Sequence, residues 1–552
     1  MSLDEIFHQE NQVNLRPIKL RMMQNTLSPS KSDKPDLPLA RRTLWQALAL
    51  GWVADQLFYG QQLGISVLLF VGLLLVSLWI NGRSLSLTPR NRWLILPLLF
   101  FASMVFIRAN PFLTFLNTAA TLCLLASVAF FYAAGQVSSL SVLGLALLPL
   151  RVAGNAVAHT LLLAQAIDTK AVQLRGRQNV LPLLRGALLA LPVLAVFTAL
   201  LSSADLAFAN VIETIFQFEF LPNLASLIGQ GVFMLVMAWL VAGGLVYALA
   251  RREADKLSVD DRGIIEKGAD WLRQRFPLGF VETATVLGLV DGLFLLFTAV
   301  QFTYLFGGRR NIGDFTYAEY ARRGFFELVV VAVLSLGLIL GLNWLARREN
   351  KRQIGWFNVL SSLMVGFVLV MLVSAWRRMA LYEATFGYTD LRLIVFVFIG
   401  WLAVLLGWFL LTLWRRPERF AMGLLLCVIG FIATLNLLNF DAFIVRRNLA
   451  HYEQTGELDV YYLVGLSVDA VPMLLAAETA VSHDPQTITD WSCGRDSISA
   501  EGEALPECQV TLATILSRNL DARREQLAST SWATWPSFNL SRHQAYLVLG
   551  NR

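Results

Sequence analysis

The chain has 552 residues, 56% of them hydrophobic and 15% charged, with a mean hydropathy of +0.57 and a net charge of +6. Soluble globular chains carry about 45–50% apolar and about 25% charged residues. The composition therefore excludes a soluble globular protein, a disordered chain, a collagen and a disulfide-rich secreted scaffold, and points to a multi-pass membrane protein.

Residues 1–42 are polar, include Pro17, Pro29, Pro35 and Pro38, and lack an apolar run of signal-peptide type. They read as a disordered cytoplasmic tail. The membrane part is 43–440. A bilayer crossing needs about 20 apolar residues, and the segments that qualify are 43–58, 63–80, 93–107, 111–131, 181–201, 224–250, 281–306, 324–345, 354–375, 391–414 and 420–440. Segment 43–58 is weakened by Asp55. Segment 137–150 is short, is followed by Arg151 and reads as interfacial. Residues 441–552 form an acidic region, with 8 Lys+Arg against 14 Asp+Glu, whereas 1–440 carry 37 against 25. Within it, 458–480 (broken at Pro472) and 511–528 have helical apolar spacing on either side of a Cys-bearing loop. The expected fold is all-α: a polytopic membrane protein of about 11 transmembrane helices with a small helical extracytoplasmic C-terminal region.

Lys and Arg mark cytoplasmic loops. Seven lie in 251–280, four in 346–353 and three in 415–419, while 202–223 has none. Alternation then places 202–223, 307–323, 376–390 and the region after 440 outside, with the N-terminus in the cytoplasm. All seven lysines (Lys19, Lys31, Lys34, Lys170, Lys256, Lys267, Lys351) fall on the cytoplasmic side of this scheme. This distribution makes the lipid bilayer, and not nucleic acid, the partner of the basic residues. Cys493 and Cys508 fall outside, where they either form a disulfide in an oxidising compartment or are unrelated thiols.

No zinc-protease, Cys-x-x-Cys, phosphate-loop, nucleophile-elbow or dinucleotide motif occurs, and the five histidines share no ligand spacing. No cofactor, metal or catalytic residue is expected, and a non-enzymatic role fits better than an enzymatic one. Asp291 stands near the middle of 281–306, nine residues after Glu282. The two carboxylates either form part of a proton relay or Asp291 bonds a neighbouring helix through Asn358 or Asn436.

Two outer loops carry the richest chemistry. One is YAEYARRGFFEL (317–328), with Glu319, Tyr320, Arg322 and Arg323. The other is RRMALYEATFGYTDLR (377–392), with Arg378, Tyr382, Glu383, Tyr388 and Arg392. Asp205, closing LSSAD, and Arg446 and Arg447 fall on the same face. Guanidinium forks grip carboxylate or phosphate bidentately. The cluster is either a seat for an anionic or lipid-linked envelope ligand, or a clasp in which Arg and Tyr anchor helix ends. Polar clusters gathered on one side also imply that the C-terminal region docks over the bundle.

Together LSSAD, YAEYARRGFFEL, RMALYEATFGYTDLR and NLAHYEQTGELDVYYLVGLSVDAVPMLL resemble the bacterial multi-pass membrane family of unknown function DUF4173, related to DUF4153, across 180–480. The resemblance implies a bacterial cytoplasmic-membrane protein and no particular activity. Its motif positions fall on Asp205, Glu319, Tyr320, Arg322, Arg323, Arg378, Tyr382, Gly387, Thr389, Arg392, Asn448, Asp459 and Asp469. Four function classes stand: a binder or transporter of an anionic envelope ligand, a sensor meeting a cytoplasmic partner at loop 251–280, a proton-coupled transporter using Asp291, and, last in order, a membrane transferase using the outer carboxylates and arginines.

Overall fold

The computed structural model describes residues 37–81, 89–132, 141–166, 224–254, 279–306, 325–346, 350–490, 508–529, 532 and 534–550. Among them the bundle consists of α1 (Leu37–Phe58), α2 (Ile65–Asn81), α3 (Ile95–Ile107), α4 (Pro111–Phe131), α5 (Val142–Ala166), α6 (Leu224–Ala254), α7 (Phe280–Phe306), α8 (Phe325–Leu345), α9 (Lys351–Phe386), α10 (Asp390–Arg415) and α11 (Phe420–Leu437). Seven of these, α4 and α6 to α11, are long and apolar enough to cross a membrane. In hydrocarbon every backbone polar group must be satisfied within the segment, which a helix alone achieves for a single span.

The count of eleven is not reached among the described residues. Helices α2 and α3 are apolar but short, α1 carries the half-turn of polar residues around Asp55, and 181–201 lies outside the described residues. Segment 137–150 needs correction. Its helix does not stop at Arg151 but runs to Ala166, and it packs along α6 through Leu148, Val152 and Ala156, spaced four apart. At the tightest point of that contact, a Cβ on Gly243 would stand 1.8 Å from the Ala156 carbonyl oxygen. Thr160 donates to both Ala156 O and Trp239 O at 3.0 Å there. Small residues permit such approach between membrane helices.

Helices α10 and α11 form an antiparallel pair whose register is set by tryptophan on glycine. Trp401 lies against Gly430 and Trp408 against Gly423, seven residues apart on each helix. Trp401 Nε1 donates to Thr434 Oγ1 at 3.0 Å. A leucine at 430 would place its Cβ about 2 Å from the Trp401 ring, since the built Cβ is 2.1 Å from Cη2. Overpacking of this kind costs about 1–3 kcal/mol, so Gly430→Leu should lower the Tm in detergent. Trp401→Ala in the same chain should recover part of the loss.

After α11, Asn439 adopts a left-handed conformation (φ 45°) and turns the chain into a C-terminal cap. The cap contains α12 (Phe440–Thr455), α13 (Val460–Val464), α14 (Val471–Val481), β1 (Thr487–Asp490), β2 (Cys508–Thr511), α15 (Leu512–Ala528) and α16 (Leu540–Gly550). Pro472 opens α14 in its first turn, where its missing N–H is harmless, and so begins a helix where sequence spacing predicts a break. The short antiparallel ladder β1–β2 and helix α16 are additions to the expected pair of helices. Of three hydrophobic cores, one joins α1 to α6 around Phe101 and Phe131 and one joins α7 to α11 around Phe357 and Met364. The third ties Leu113, Leu393 and Leu435 at the bundle end to Phe440, Ile444, Leu474 and Leu516 of the cap.

Candidate functional site

The cap seats on three turns of the bundle. At the α1–α2 turn, Gln62 N donates to Ser537 Oγ (3.0 Å) and Ile65 N to Phe538 O (3.0 Å). At the α3–α4 turn, Asn539 Nδ2 donates to Arg108 O (2.9 Å). At the α9–α10 turn, the Asn448 amide brackets the Tyr388 backbone, accepting from its N and donating to its O, both at 2.8 Å.

The α3–α4 turn holds a buried polar core. Asn110 caps α4, its Oδ1 accepting from Phe112 N and Leu113 N (2.9 and 3.1 Å), with Pro111 next in line. This is the residue pair that favours a helix start. Its Nδ2 donates to both Asp441 oxygens at 3.1 and 3.0 Å, and Ser467 Oγ donates to the same carboxylate. Asp469 accepts from Ala109 N (2.8 Å) and Asn110 N (3.2 Å). Arg108 donates to Asn436 O through Nε (3.1 Å) and Nη2 (2.5 Å). Burial pushes the Asp441 carboxyl up to about 6; hydrogen bonds from Ser467 and Asn110 oppose this, and the charges of Asp469 and Asp390 add to it. Burial also lowers the Arg108 pKa, against the pull of Asp469 and Asp441. Arg523 of α15 donates to the carbonyls of Val464, Leu466 and Ser467 at 2.7, 2.6 and 3.0 Å.

Beside this core lies the arginine cluster. Gly387 (φ 71°) ends α9, and a Cβ there would meet Asn448 Oδ1 at 2.3 Å, so glycine is required. Arg392 stacks over the Tyr382 ring at 4.3 Å and donates to the Phe386 carbonyl (3.0 Å) and to that of Gly387. Arg446 and Arg447 on α12 stand over the Phe443 ring at 5.7 and 5.3 Å, and Phe443 meets Tyr388 edge-on at 5.6 Å. Glu383 stands in the field of Arg447, His451 and Arg392. Burial first, and then the Glu383 charge, raise the Tyr388 pKa. Tyr462 OH accepts from Asp390 N (2.6 Å) and donates to Asp390 Oδ1 (2.7 Å).

Among the sequence-predicted residues, Tyr382, Arg392, Arg446 and Arg447 meet at this end, with Arg378 one turn before Tyr382 on α9. Asp205, Glu319, Tyr320, Arg322 and Arg323 lie outside the described residues, as do Cys493 and nearly all of loop 251–280. The β-ladder ends with Asp490 opposite Cys508, so Cys508 pairs with a residue three before Cys493. Glu282 and Asp291 are not brought together. Nine residues turn a helix by about 900°, onto the opposite face; Glu282 is exposed and Asp291 buried. The two asparagines expected near Asp291 are engaged elsewhere. Asn436 pairs reciprocally with Asn117 (2.8 and 2.9 Å), and Asn358 donates to Leu413 O at 3.4 Å. The sequence reading missed Arg108, Asn110 and Asp441. Its accessible signal was Asn-Pro at 110–111 between two apolar runs.

Apolar helices of crossing length, closed at one end by a cap on a polar core, define an integral membrane protein. The family described as "Domain of unknown function (DUF4153)" matches over residues 95–477, from the start of α3 into α14, and the chain belongs to that family. The match begins well before residue 180, so the family likeness includes the Asn110 turn. No curated protein and no solved structure matches the chain.

Proposed function

We propose that this DUF4153 protein is a non-enzymatic binder or carrier of an anionic, phosphate-bearing envelope ligand, held where α9, α10 and α12 meet. The observation behind this reading is the state of Arg446 and Arg447. Both are exposed and both are held over one aromatic ring; no hydrogen bond engages either among the described residues, and Arg447 also stands in the field of Glu383. A guanidinium pre-placed on a ring loses little freedom on gripping phosphate. Arg392 has a different role: its donors are directed to the last carbonyls of α9, so it shapes the site and leaves binding to its neighbours. The motifs at 377–392 and 448–475 support the DUF4173 branch within the family. They also support a bacterial cytoplasmic membrane with the cap outside, which would put the arginines level with the outer headgroups.

The test is retention of phosphatidylglycerol against phosphatidylcholine by the purified chain in native mass spectrometry. Charge-assisted bonds contribute about 1.5–3 kcal/mol each, so Arg446→Gln with Arg447→Gln should reduce phosphatidylglycerol retention by at least about tenfold at an unchanged Tm. Equal retention by wild type and variant would overturn the reading.

A further inference from the structure

Asp291 is the strongest unexplained group in the bundle. It is 4% exposed, near the middle of α7, and neither carboxylate oxygen has a hydrogen-bond partner among the described residues. One buried hydroxyl on the same face of α7, Thr298 Oγ1, seven residues further on, is in the same state. The hydroxyls of Ser66, Thr118 and Ser361 share this state elsewhere in the bundle. Thr283, Thr285, Ser335 and Ser362 all donate to the carbonyl four residues back, at 2.7–2.9 Å. Thr298, on the face of Asp291, leaves its oxygen unused.

Helix α7 packs along α9, and alternation through α8 makes the two parallel. Their level is fixed by Ser374 Oγ donating to Gln301 Oε1 at 2.7 Å. At about 1.5 Å per residue, Asp291 lies about 15 Å below that bond and Thr298 about 5 Å below it. The surroundings are asymmetric. Toward the capped end come Thr298 and then the Gln301–Ser374 pair. Away from it, fully buried Leu287 and Phe357 close the interface.

No other ionisable side chain stands at this level on the described neighbours. On α9 none occurs between Arg352 and Arg377, on α8 none between Glu327 and Arg347, and on α10 none between Arg392 and Arg415. Helix α5 touches this core at Val142, nine residues before Arg151. Glu282 is on the opposite face of α7. An ionised carboxylate without a partner is costly in such a place, and binding a cation removes the cost. The smallest cation that needs no further ligands is the proton.

We propose that Asp291 is a reversible proton-binding site inside the membrane, reached from the capped end along Thr298, Gln301 and Ser374. The carboxylate takes a proton from water on that side and returns it, and no other bond forms or breaks. The site is independent of the arginine cluster.

The test uses the full chain in phosphatidylcholine vesicles treated with dicyclohexylcarbodiimide, which attacks protonated carboxyls in apolar surroundings; adducts are read by peptide mass spectrometry. Labelling of Asp291 should fall by about tenfold or more between pH 5 and pH 9, since each pH unit above the pKa removes about nine-tenths of the protonated form. Exchanging choline for Na⁺ at fixed pH should leave it unchanged. Asp291→Asn should lose the adduct, and Arg446→Gln with Arg447→Gln should keep it. Labelling independent of pH, or none at pH 5 in protein whose melt shows it folded, would overturn the proposal. Protection by Na⁺ would also overturn it, by assigning the site to a metal cation.

Discussion

Replacing Asp469 by alanine is expected to release the C-terminal cap from the helix bundle. The carboxylate is buried and accepts from two backbone N–H groups in the α3–α4 turn, Ala109 and Asn110. Neither gains a new partner when the carboxylate is removed. Each buried unsatisfied donor costs about 1–3 kcal/mol, so the loss is about 2–6 kcal/mol. That is a large part of the 5–15 kcal/mol by which proteins are ordinarily stable. Hydrogen exchange should show the loss directly, as faster exchange across α12 to α16 with the interiors of α8 and α9 still protected. Asp469→Asn keeps one acceptor and should lose about half as much. Unchanged exchange in the alanine variant would mean that the hydrophobic contacts of Leu113, Leu393 and Leu435 hold the cap without the polar core.

The second large effect is a dependence of cap stability on pH, set by Asp441. Its carboxyl is raised from an ordinary 3.8 to about 6. Below about pH 4 the group is protonated in both folded and unfolded chains and burial costs nothing in ionisation. Between about 4 and 6 the unfolded chain has lost the proton while the folded chain holds it, so stability falls as pH rises. The whole difference is about 3 kcal/mol and is complete above pH 6. The cap should therefore be weaker at pH 7 than at pH 5. Asp484 acts in the opposite sense, because the Tyr452 hydroxyl holds it below the ordinary range. For that reason the informative quantity is the difference between wild type and Asp441→Asn. The asparagine oxygen can still accept from Asn110, and its amide can donate to Ser467. The variant should have a higher Tm than wild type at pH 7, and the gap should shrink to about half at pH 5 and close only below about pH 4. Parallel profiles would show that Asp441 does not carry the effect.

The bilayer makes much of this fold legible. A crossing helix must be long and apolar, so α6 to α11 stand out as runs of Leu, Val and Phe between arginines. The same logic failed at 137–150, because a hydropathy window stops at Arg151 whereas the helix continues, directed by Leu148, Val152 and Ala156. The separation of Glu282 from Asp291 was readable from their spacing alone, as nine residues is two and a half turns. The polar core under the cap was not readable in that way. Asn110 and Asp441 are 331 positions apart, and no periodicity relates a helix cap to an aspartate so distant in sequence. Arg392 was visible as a candidate, but its engagement with the Phe386 and Gly387 carbonyls depends on a left-handed glycine that only the folded chain shows.

Gln62, on the first hairpin of the bundle, is tied to Arg542, 480 residues later. At a synthesis rate of about 5–20 residues per second, the two are made about half a minute to a minute and a half apart. For most of that interval the Asn110 turn has no Asp441, Ser467 or Asp469 to satisfy it. The inserted helices must therefore wait, open at one end, until residues 441–469 have been delivered to the same side. Closing that end is a step of assembly separate from insertion, and a quality-control protease on that side would meet unfinished chains through their unpaired turns.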